Sequence, residues 1–322
     1  MQYSIRMEPT KTTTTTSLLG IDWGTSNRRA WWLGADGEVL AEHTDDQGLL
    51  AAQGRFSESL QTLLQAAAPL PEGCPILMSG MVGAASGWQE APYMDAAQPL
   101  AQLARQLQPV AAAGPRCFIV PGVCFSAADG TVDVMRGEET QLLGALALGH
   151  GDGWYVLPGT HSKWVRLQDG RVADLATYMT GELFALLTQH GTLSSVTRLA
   201  AADTHHDEPT HPHAFSRGVA AAARSGLSNA LFGCRAQVVA GRMPATVARE
   251  YLSGLLIGAE WHDVTRRAGR APANITLIGS AALARRYGRV AEGAGCRINV
   301  LDARDVQLAA LGALRAALDN PR

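Results

Sequence analysis

The sequence predicts an α/β protein of two similarly built halves, and three observations carry the prediction. A run of strand, Gly-Thr turn, strand, Asp-Gly turn and strand begins at Leu18 and returns at Trp154. Each run is followed by helical patterns that alternate with short apolar strands. The 322 residues suit two lobes of roughly 150 residues, each large enough to bury its own core.

The first run reads LLGIDWGTSNRRAWWLGADGEVLAEHT from Leu18, with Asp36-Gly37 as its hairpin signal. Apolar spacing then predicts a helix over Phe56 to Ala68, a strand PILMSG over Pro75 to Gly80, a helix near Gln98 to Gln108 and a strand CFIVPG from Cys117. The helix EETQLLGALALGH, Glu138 to His150, ends in a Gly-rich break at Gly149 to Gly153, where we place the hinge. The second run, WYVLPGTHSKWVRLQDGRVADLATY, turns at Asp169-Gly170. Helices follow at Gly181 to Gln189, around Ser216 to Phe232 and over Ala245 to Arg267. After them come the strand ITLIGS from Ile275, a helix, the strand INVLD from Ile298 and a final helix over Asp305 to Leu318. Meanders first and helices afterwards imply mixed sheets with helices packed on them.

Residues 1–16 read as a disordered extension, because MQYSIRMEPTKTTTTT has no apolar signal-peptide region and its threonine run cannot pack. The predicted division is then a lobe over 17–148, a lobe over 149–304 and a closing helix over 305–322 near the lobe interface. The stretch THHDEPTHPHAF, Thr204 to Phe215, reads as an exposed polar loop in the second lobe. Pro209 and Pro212 break any helical register in which its histidines could ligate a metal.

Apolar residues make up 47% of the chain, charged residues 17%, and the net charge is −2. There is no basic footprint for nucleic acid and no apolar run of the ~20 residues a membrane span needs. Small molecules are the expected partners, and a homo-oligomer is compatible with the composition. Five scattered cysteines without CxxC spacing argue against a disulfide framework or zinc knot and for a reducing cytoplasm.

A tight Gly-Thr turn between strands presents backbone N–H groups and hydroxyls that can accept phosphate oxygens, and two such turns could hold one triphosphate. Asp22, two residues before Gly24, sits where a carboxylate would repel phosphate unless it orients Mg²⁺. Lysine occurs only at Lys11 and Lys163. Lys163, beside the second turn, could act as a point charge on a transferring phosphoryl group, or could be a solvated hairpin lysine.

The segments GIDWGTSN, MRGEETQLLGA, PGTHSKWV, ITLIGS and QLAALGALRA resemble, in order, the phosphate, connecting and adenosine segments of the actin/hexokinase/Hsp70 superfamily. More specifically, GMVG with GWQEAPY, PGVC, MRGEETQ, PGTHSKWV, MTGELF and YLSGLLIGAE resemble the 2-dehydro-3-deoxygalactonokinase family from Leu18 to the C-terminus. The resemblance implies two ribonuclease H-like lobes with an interlobe cleft for ATP and substrate. It implies transfer of the ATP γ-phosphate, with Mg²⁺, to the 6-hydroxyl of 2-dehydro-3-deoxy-D-galactonate in galactonate breakdown.

Carried over by position, Gly24, Thr25 and Ser26 hold phosphate from the first lobe, and Gly159, Thr160, His161 and Ser162 from the second. Gly279 and Ser280 border the adenosine. The second segment shows Leu157-Pro158-Gly159 where the superfamily commonly has Asp-Gly-Gly. For the general base, Glu138 and Glu139 open the connecting helix, and RGEETQ resembles the Gly-Glu-Glu segment of related exopolyphosphatases, where a glutamate serves as base. Glutamates in a first helical turn also complement the helix dipole without any catalytic part.

A sugar-acid carboxylate calls for a guanidinium, for which Arg28 and Arg136 are the candidates. Trp88 and Tyr93 could offer the sugar a face and a hydroxyl, or be core aromatics. Glu182 could bond a hydroxyl, or only open a helix. Two rivals remain: a phosphatase of the same fold, and a non-enzymatic actin-like nucleotide switch. A dinucleotide oxidoreductase is disfavoured, because no GxGxxG lies between the first strand and a helix.

Overall fold

The computed structural model describes residues 15–66, 70–114, 116–198 and 211–319. Residues 1–14 of the Thr-rich extension and 204–210 of the Pro/His-rich stretch lie outside the described residues.

In chain order come β1 (Leu18–Trp23), β2 (Arg28–Leu33), β3 (Val39–Asp45), α1 (Leu49–Ala52), α2 (Phe56–Ala66), β4 (Ile76–Gly80), β5 (Tyr93–Asp95) and β6 (Gln108–Pro109). Next are β7 (Cys117–Ile119), β8 (Gly122–Ser126), β9 (Val132–Met135), α3 (Glu138–Ala147), β10 (Gly153–Leu157), β11 (Ser162–Gln168), β12 (Arg171–Tyr178), α4 (Thr180–Gln189) and α5 (Gly191–Thr197). The chain closes with α6 (Pro212–Ala222), α7 (Leu227–Val239), α8 (Ala248–Arg267), β13 (Asn274–Ile278), α9 (Ala281–Gly293), β14 (Arg297–Leu301) and α10 (Ala303–Asp319). Among the described residues, no helix is long and apolar enough to cross a membrane.

Two compact units divide these elements. The first takes the described residues up to Pro92, Ala104–Pro121 and the chain from Leu314; the second takes Tyr93–Leu103 and Gly122–Ala313.

The first unit holds a six-stranded sheet in the order β3-β2-β1-β4-β7-β6. The meander β1–β2–β3 is antiparallel, and β4 and β7 extend it in parallel from β1. This is the ribonuclease H-like order. Alternate residues of β1, Leu19, Ile21 and Trp23, face a core that α2 covers with Phe56, Leu60 and Leu63 at i, i+4 and i+7. Full burial of each such side chain stabilises the unit by about 1.5–3 kcal/mol.

The second unit repeats the order as β12-β11-β10-β13-β14, again with an antiparallel meander extended by parallel strands. The Asp169-Gly170 link is a two-residue hairpin in which both residues have positive φ, 53° and 66°. Asp tolerates that region better than most side chains and Gly adopts it freely, so the turn matches the strand twist. Helices α5, α6, α7 and α8 bury a cluster of their own around Leu252 and Leu255.

Three predicted elements differ. The helix near Gln98 to Gln108 is a 3₁₀ segment at Leu100–Arg105 followed by the short strand β6. Only Leu100 and Leu103 are buried there, which the three-residue period of a 3₁₀ turn satisfies. The helix over Ser216 to Phe232 is two helices, α6 and α7, separated at Ser225-Gly226. The polar loop ends early: Pro212 starts α6 at a position that needs no N–H, and Phe215 is fully buried. A three-stranded sheet, β5-β8-β9, was not foreseen. Its strands are three to five residues long with mixed burial, too short for a clear period of two.

Candidate active site

In the first unit the β1–β2 turn is pinned by the start of α1. Leu49 and Leu50 donate their backbone N–H groups to the carbonyls of Gly24 and Thr25 at 2.9 and 3.2 Å, and Gly48 donates to Ser26 at 3.3 Å. A Cβ on Gly48 would stand 2.4 Å from the Ser26 carbonyl carbon, so only glycine allows this approach. The carbonyl ends of these peptides are thereby engaged. The N–H groups of Thr25 and Ser26, both exposed, have no acceptor among the described residues, which suits an incoming anion.

Asp22 sits at the end of β1 beside that turn. Its Oδ2 accepts from Arg29 Nη2 at 2.7 Å across the β1–β2 pair, while Oδ1 takes no hydrogen bond among the described residues. Burial pushes its carboxyl above the usual range, and Arg29 pulls it partly back. Gly80, with φ +87°, ends β4 against it; a Cβ there would lie 2.8 Å from the Trp23 carbonyl oxygen and 3.4 Å from Asp22 Oδ1. The GMVG string therefore begins with the residue that lets β4 close over Asp22. A hard carboxylate oxygen fits Mg²⁺, which is held by one or two carboxylates and completes its shell with water and phosphate oxygens. No group of three or more His, Cys, Asp or Glu among the described residues forms an all-protein cage instead.

The second unit repeats the device. The start of α4 packs on the β10–β11 turn: Glu182 donates its N–H to the Thr160 carbonyl at 2.9 Å, and a Cβ on Gly181 would meet the Gly159 oxygen at 2.3 Å. The N–H groups of Gly159 and Thr160 have no acceptor among the described residues. His161 Nε2 lies 2.6 Å from Glu182 Oε2, so Glu182 is engaged with the turn. Gly279, directly after β13, packs on the same segment: its added Cβ would touch Pro158 at 3.4 Å. Ser280 caps α9 by accepting from the Leu283 N–H at 3.4 Å.

Ser162 and Lys163 open β11 and are both buried. Lys163 is 5% exposed, so the solvated-hairpin reading fails; its Nζ lies 3.5 Å from Glu138 Oε1. The two glutamates of α3 have separate environments. Glu138 keeps a quarter of its side chain exposed, and its Oε2 accepts the Arg136 N–H at 3.1 Å. Glu139 is fully buried and accepts from the Gly137 N–H at 2.7 Å and the Thr140 hydroxyl at 3.0 Å. Burial first, then the Glu138 charge, push Glu139 up to about 8, so at neutral pH it is mostly a protonated acid.

Arg136 and Tyr93 meet. The guanidinium carbon stands 4.3 Å from the Tyr93 ring centroid, and a Cβ added to Gly122 would be 2.7 Å from the same ring. The PGVC glycine thus makes room for the tyrosine of GWQEAPY. Arg28 is placed otherwise. It is 1% exposed, bidentate to Asp45 at 2.6 and 3.2 Å, bonded to the Ser59 carbonyl and hydroxyl at 3.0 Å, and 4.8 Å from the Trp23 ring centroid. Its fork already holds a carboxylate. Trp88 stacks on Phe56 at 6.2 Å and meets Trp23 edge-on at 6.4 Å, as a core aromatic does.

Sequence reasoning missed Glu260, in the middle of α8 and 1% exposed. It gathers Trp164, Thr180, Ser162 and Tyr287 around one carboxylate. The available signal was a lone acid in the apolar run YLSGLLIGAEW, since an unpaired buried glutamate is rare.

These features sit within a recognised sequence family. The sequence model of the 2-keto-3-deoxy-galactonokinase family matches residues 22–314. A Rhizobium meliloti (strain 1021) protein carrying the name "Probable 2-dehydro-3-deoxygalactonokinase DgoK1" is 38% identical over 302 residues, 92% of this chain and 96% of that one. The 2-dehydro-3-deoxygalactonokinase of Escherichia coli (strain K12) is 34% identical over 289 residues, 89% of this chain and 93% of its own. A crystal structure of a Sinorhizobium meliloti protein described under the same enzyme name matches with a TM-score of 0.84 at 36% identity, covering 95% of this chain and 97% of that one. With both turns, the glutamate pair and β13 inside the matched span, the chain belongs to the 2-keto-3-deoxy-galactonokinase family.

Proposed function

We propose that the protein is a cytoplasmic ATP-dependent kinase that phosphorylates the 6-hydroxyl of 2-dehydro-3-deoxy-D-galactonate to give the 6-phosphate. The observation that carries this reading is the family match over residues 22–314, which includes both Gly-Thr turns. A phosphatase would need no sugar-acid pocket, and the Tyr93–Arg136 pair favours the kinase: an aromatic face with a guanidinium suits a sugar acid.

The geometry supports the following roles. Gly24, Thr25 and Ser26 in one unit, and Gly159, Thr160 and His161 in the other, offer N–H groups and side chains to phosphate oxygens. Glu182 holds the His161 ring by its 2.6 Å contact and so acts on the turn more than on the sugar. Asp22 would be the residue that holds Mg²⁺, with Arg29 fixing its Oδ2. When bound, the metal would supply positive charge to the nucleotide phosphates. Glu138, partly exposed and 3.5 Å from Lys163, orients the sugar hydroxyl and accepts its proton, whereas Glu139, fully buried and pushed up to about 8, keeps the α3 start in shape. Lys163 supplies a fixed positive charge beside Glu138 and the second turn. Arg136, standing 4.3 Å over the Tyr93 ring, takes the substrate carboxylate.

Purified protein with Mg-ATP is expected to form ADP only when 2-dehydro-3-deoxygalactonate is present, in a coupled assay run across a panel of 2-keto-3-deoxy acids. Equal ADP release without any sugar acid would contradict the proposal.

A further inference from the structure

Glu260 is a buried carboxylate with no cation bonded to it among the described residues, an arrangement that burial alone opposes. Four donors offset that cost. Oε2 accepts from Thr180 Oγ1 at 2.5 Å; Oε1 accepts from Trp164 Nε1 at 3.2 Å, Ser162 Oγ at 3.4 Å and the Tyr287 hydroxyl. The Tyr287 and Ser162 oxygens are themselves 2.8 Å apart. An apolar side chain with apolar neighbours would fill this space at less cost, so the network calls for a purpose other than stability.

The donors identify that purpose. Ser162 is the first residue of β11, where the chain leaves the Gly159–His161 turn. Thr180 is the first residue of α4, directly before the Gly181 and Glu182 that press on the turn. Tyr287 belongs to α9, the helix that starts at Ser280 beside Gly279 and Pro158. One carboxylate therefore ties the exit of the turn, the helix that grips it and the helix next to it, over sequence separations of 98, 80 and 27 residues.

We infer that Glu260 is a positioning residue for the second phosphate turn, holding Gly159–His161 in the shape that receives nucleotide phosphate without touching the nucleotide itself. The inference rests on the kinase reading above. Its consequence is a selective one: the defect from disturbing the network falls on ATP and spares the sugar acid.

The test compares wild type with Thr180→Val, Glu260→Met and Glu260→Gln in Mg-ATP calorimetry, thermal melting and steady-state kinetics. Thr180→Val removes the one donor on Oε2, and Glu260→Met takes the shared acceptor from all four donors, leaving Ser162 and Tyr287 only each other to bond. Each is expected to raise Kd and KM for ATP about tenfold while KM for the sugar acid stays within about twofold. Trp164 can only donate, so Gln must aim its amide oxygen at Trp164 and its NH₂ at Thr180, whose hydroxyl can turn to accept. Glu260→Gln is therefore expected to fall between wild type and Glu260→Met. If Glu260→Met fails to fold, Thr180→Val decides. A folded Thr180→Val with wild-type affinity for Mg-ATP, or with both KM values raised alike, overturns the positioning role alone. Wild-type protein that binds no Mg-ATP overturns the kinase reading and this inference together.

Discussion

Lys163 Nζ lies 3.5 Å from Glu138 Oε1, joining the first residue of α3 to the second residue of β11 with the lysine almost wholly buried. A lysine so enclosed is there for its charge and not for solubility. The pair fixes the Glu138 carboxylate, which distinguishes it from the neighbouring Glu139.

That distinction predicts unequal effects of the two conservative substitutions. Glu138→Gln should lower kcat about 10²-fold or more by removing the proton acceptor. Glu139→Gln should stay within about tenfold of wild type, because its oxygen can still accept the Gly137 N–H. Lys163→Met should also lower kcat about 10²-fold, as the loss of one fixed electrostatic group does. Steady-state kinetics on the three variants checks this, and full activity in Glu138→Gln would remove it from the mechanism.

Asp22→Asn is expected to cut kcat about 10²-fold and raise the Mg²⁺ concentration needed for half-maximal rate. The fold should hold, since Asn can still accept from Arg29 through its amide oxygen. A magnesium titration of the initial rate tests it; an unchanged midpoint would reject the metal-orienting role.

Glu139 also predicts a pH dependence of stability. Its folded value of about 8 lies above the ordinary 4.5, so between these values the native state binds a proton that the unfolded chain has released. Stability from this group is fully present below about 4.5 and lost as pH rises through about 8. Glu139→Gln should flatten that fall. Denaturant midpoints measured from pH 5 to 8 should decline less steeply in the variant, and parallel slopes would contradict the assignment.

The two gripped turns predict a contrast among glycines. Gly48→Ala and Gly181→Ala each force a Cβ to within 2.4 and 2.3 Å of turn backbone. Both should destabilise by about 1–3 kcal/mol and weaken Mg-ATP binding. Gly288→Ala, inside α9 with nothing within 4 Å, should instead stabilise by about 0.5–1 kcal/mol. Thermal melts with and without Mg-ATP distinguish the three.

What the sequence determined by itself was whatever repeats locally. The strand, Gly-Thr turn and strand at Leu18 and Trp154 named the two meanders and implied mixed sheets with helices packed on them, while the strand order within each sheet came from the structure. Periods of 2 and 3.6 residues are set by neighbours along the chain, so they can be read without knowing the fold. The sheet β5-β8-β9 escaped because its strands are too short to show a period. Tertiary structure alone decided which polar residues meet. It engaged Arg28 with Asp45, set Tyr93 under Arg136, separated Glu138 from Glu139 by burial, and closed the Glu260 network across as many as 98 residues. The environment that gives a carboxylate its charge and its task is built from distant side chains, and no local pattern records which of them will be brought within hydrogen-bond reach.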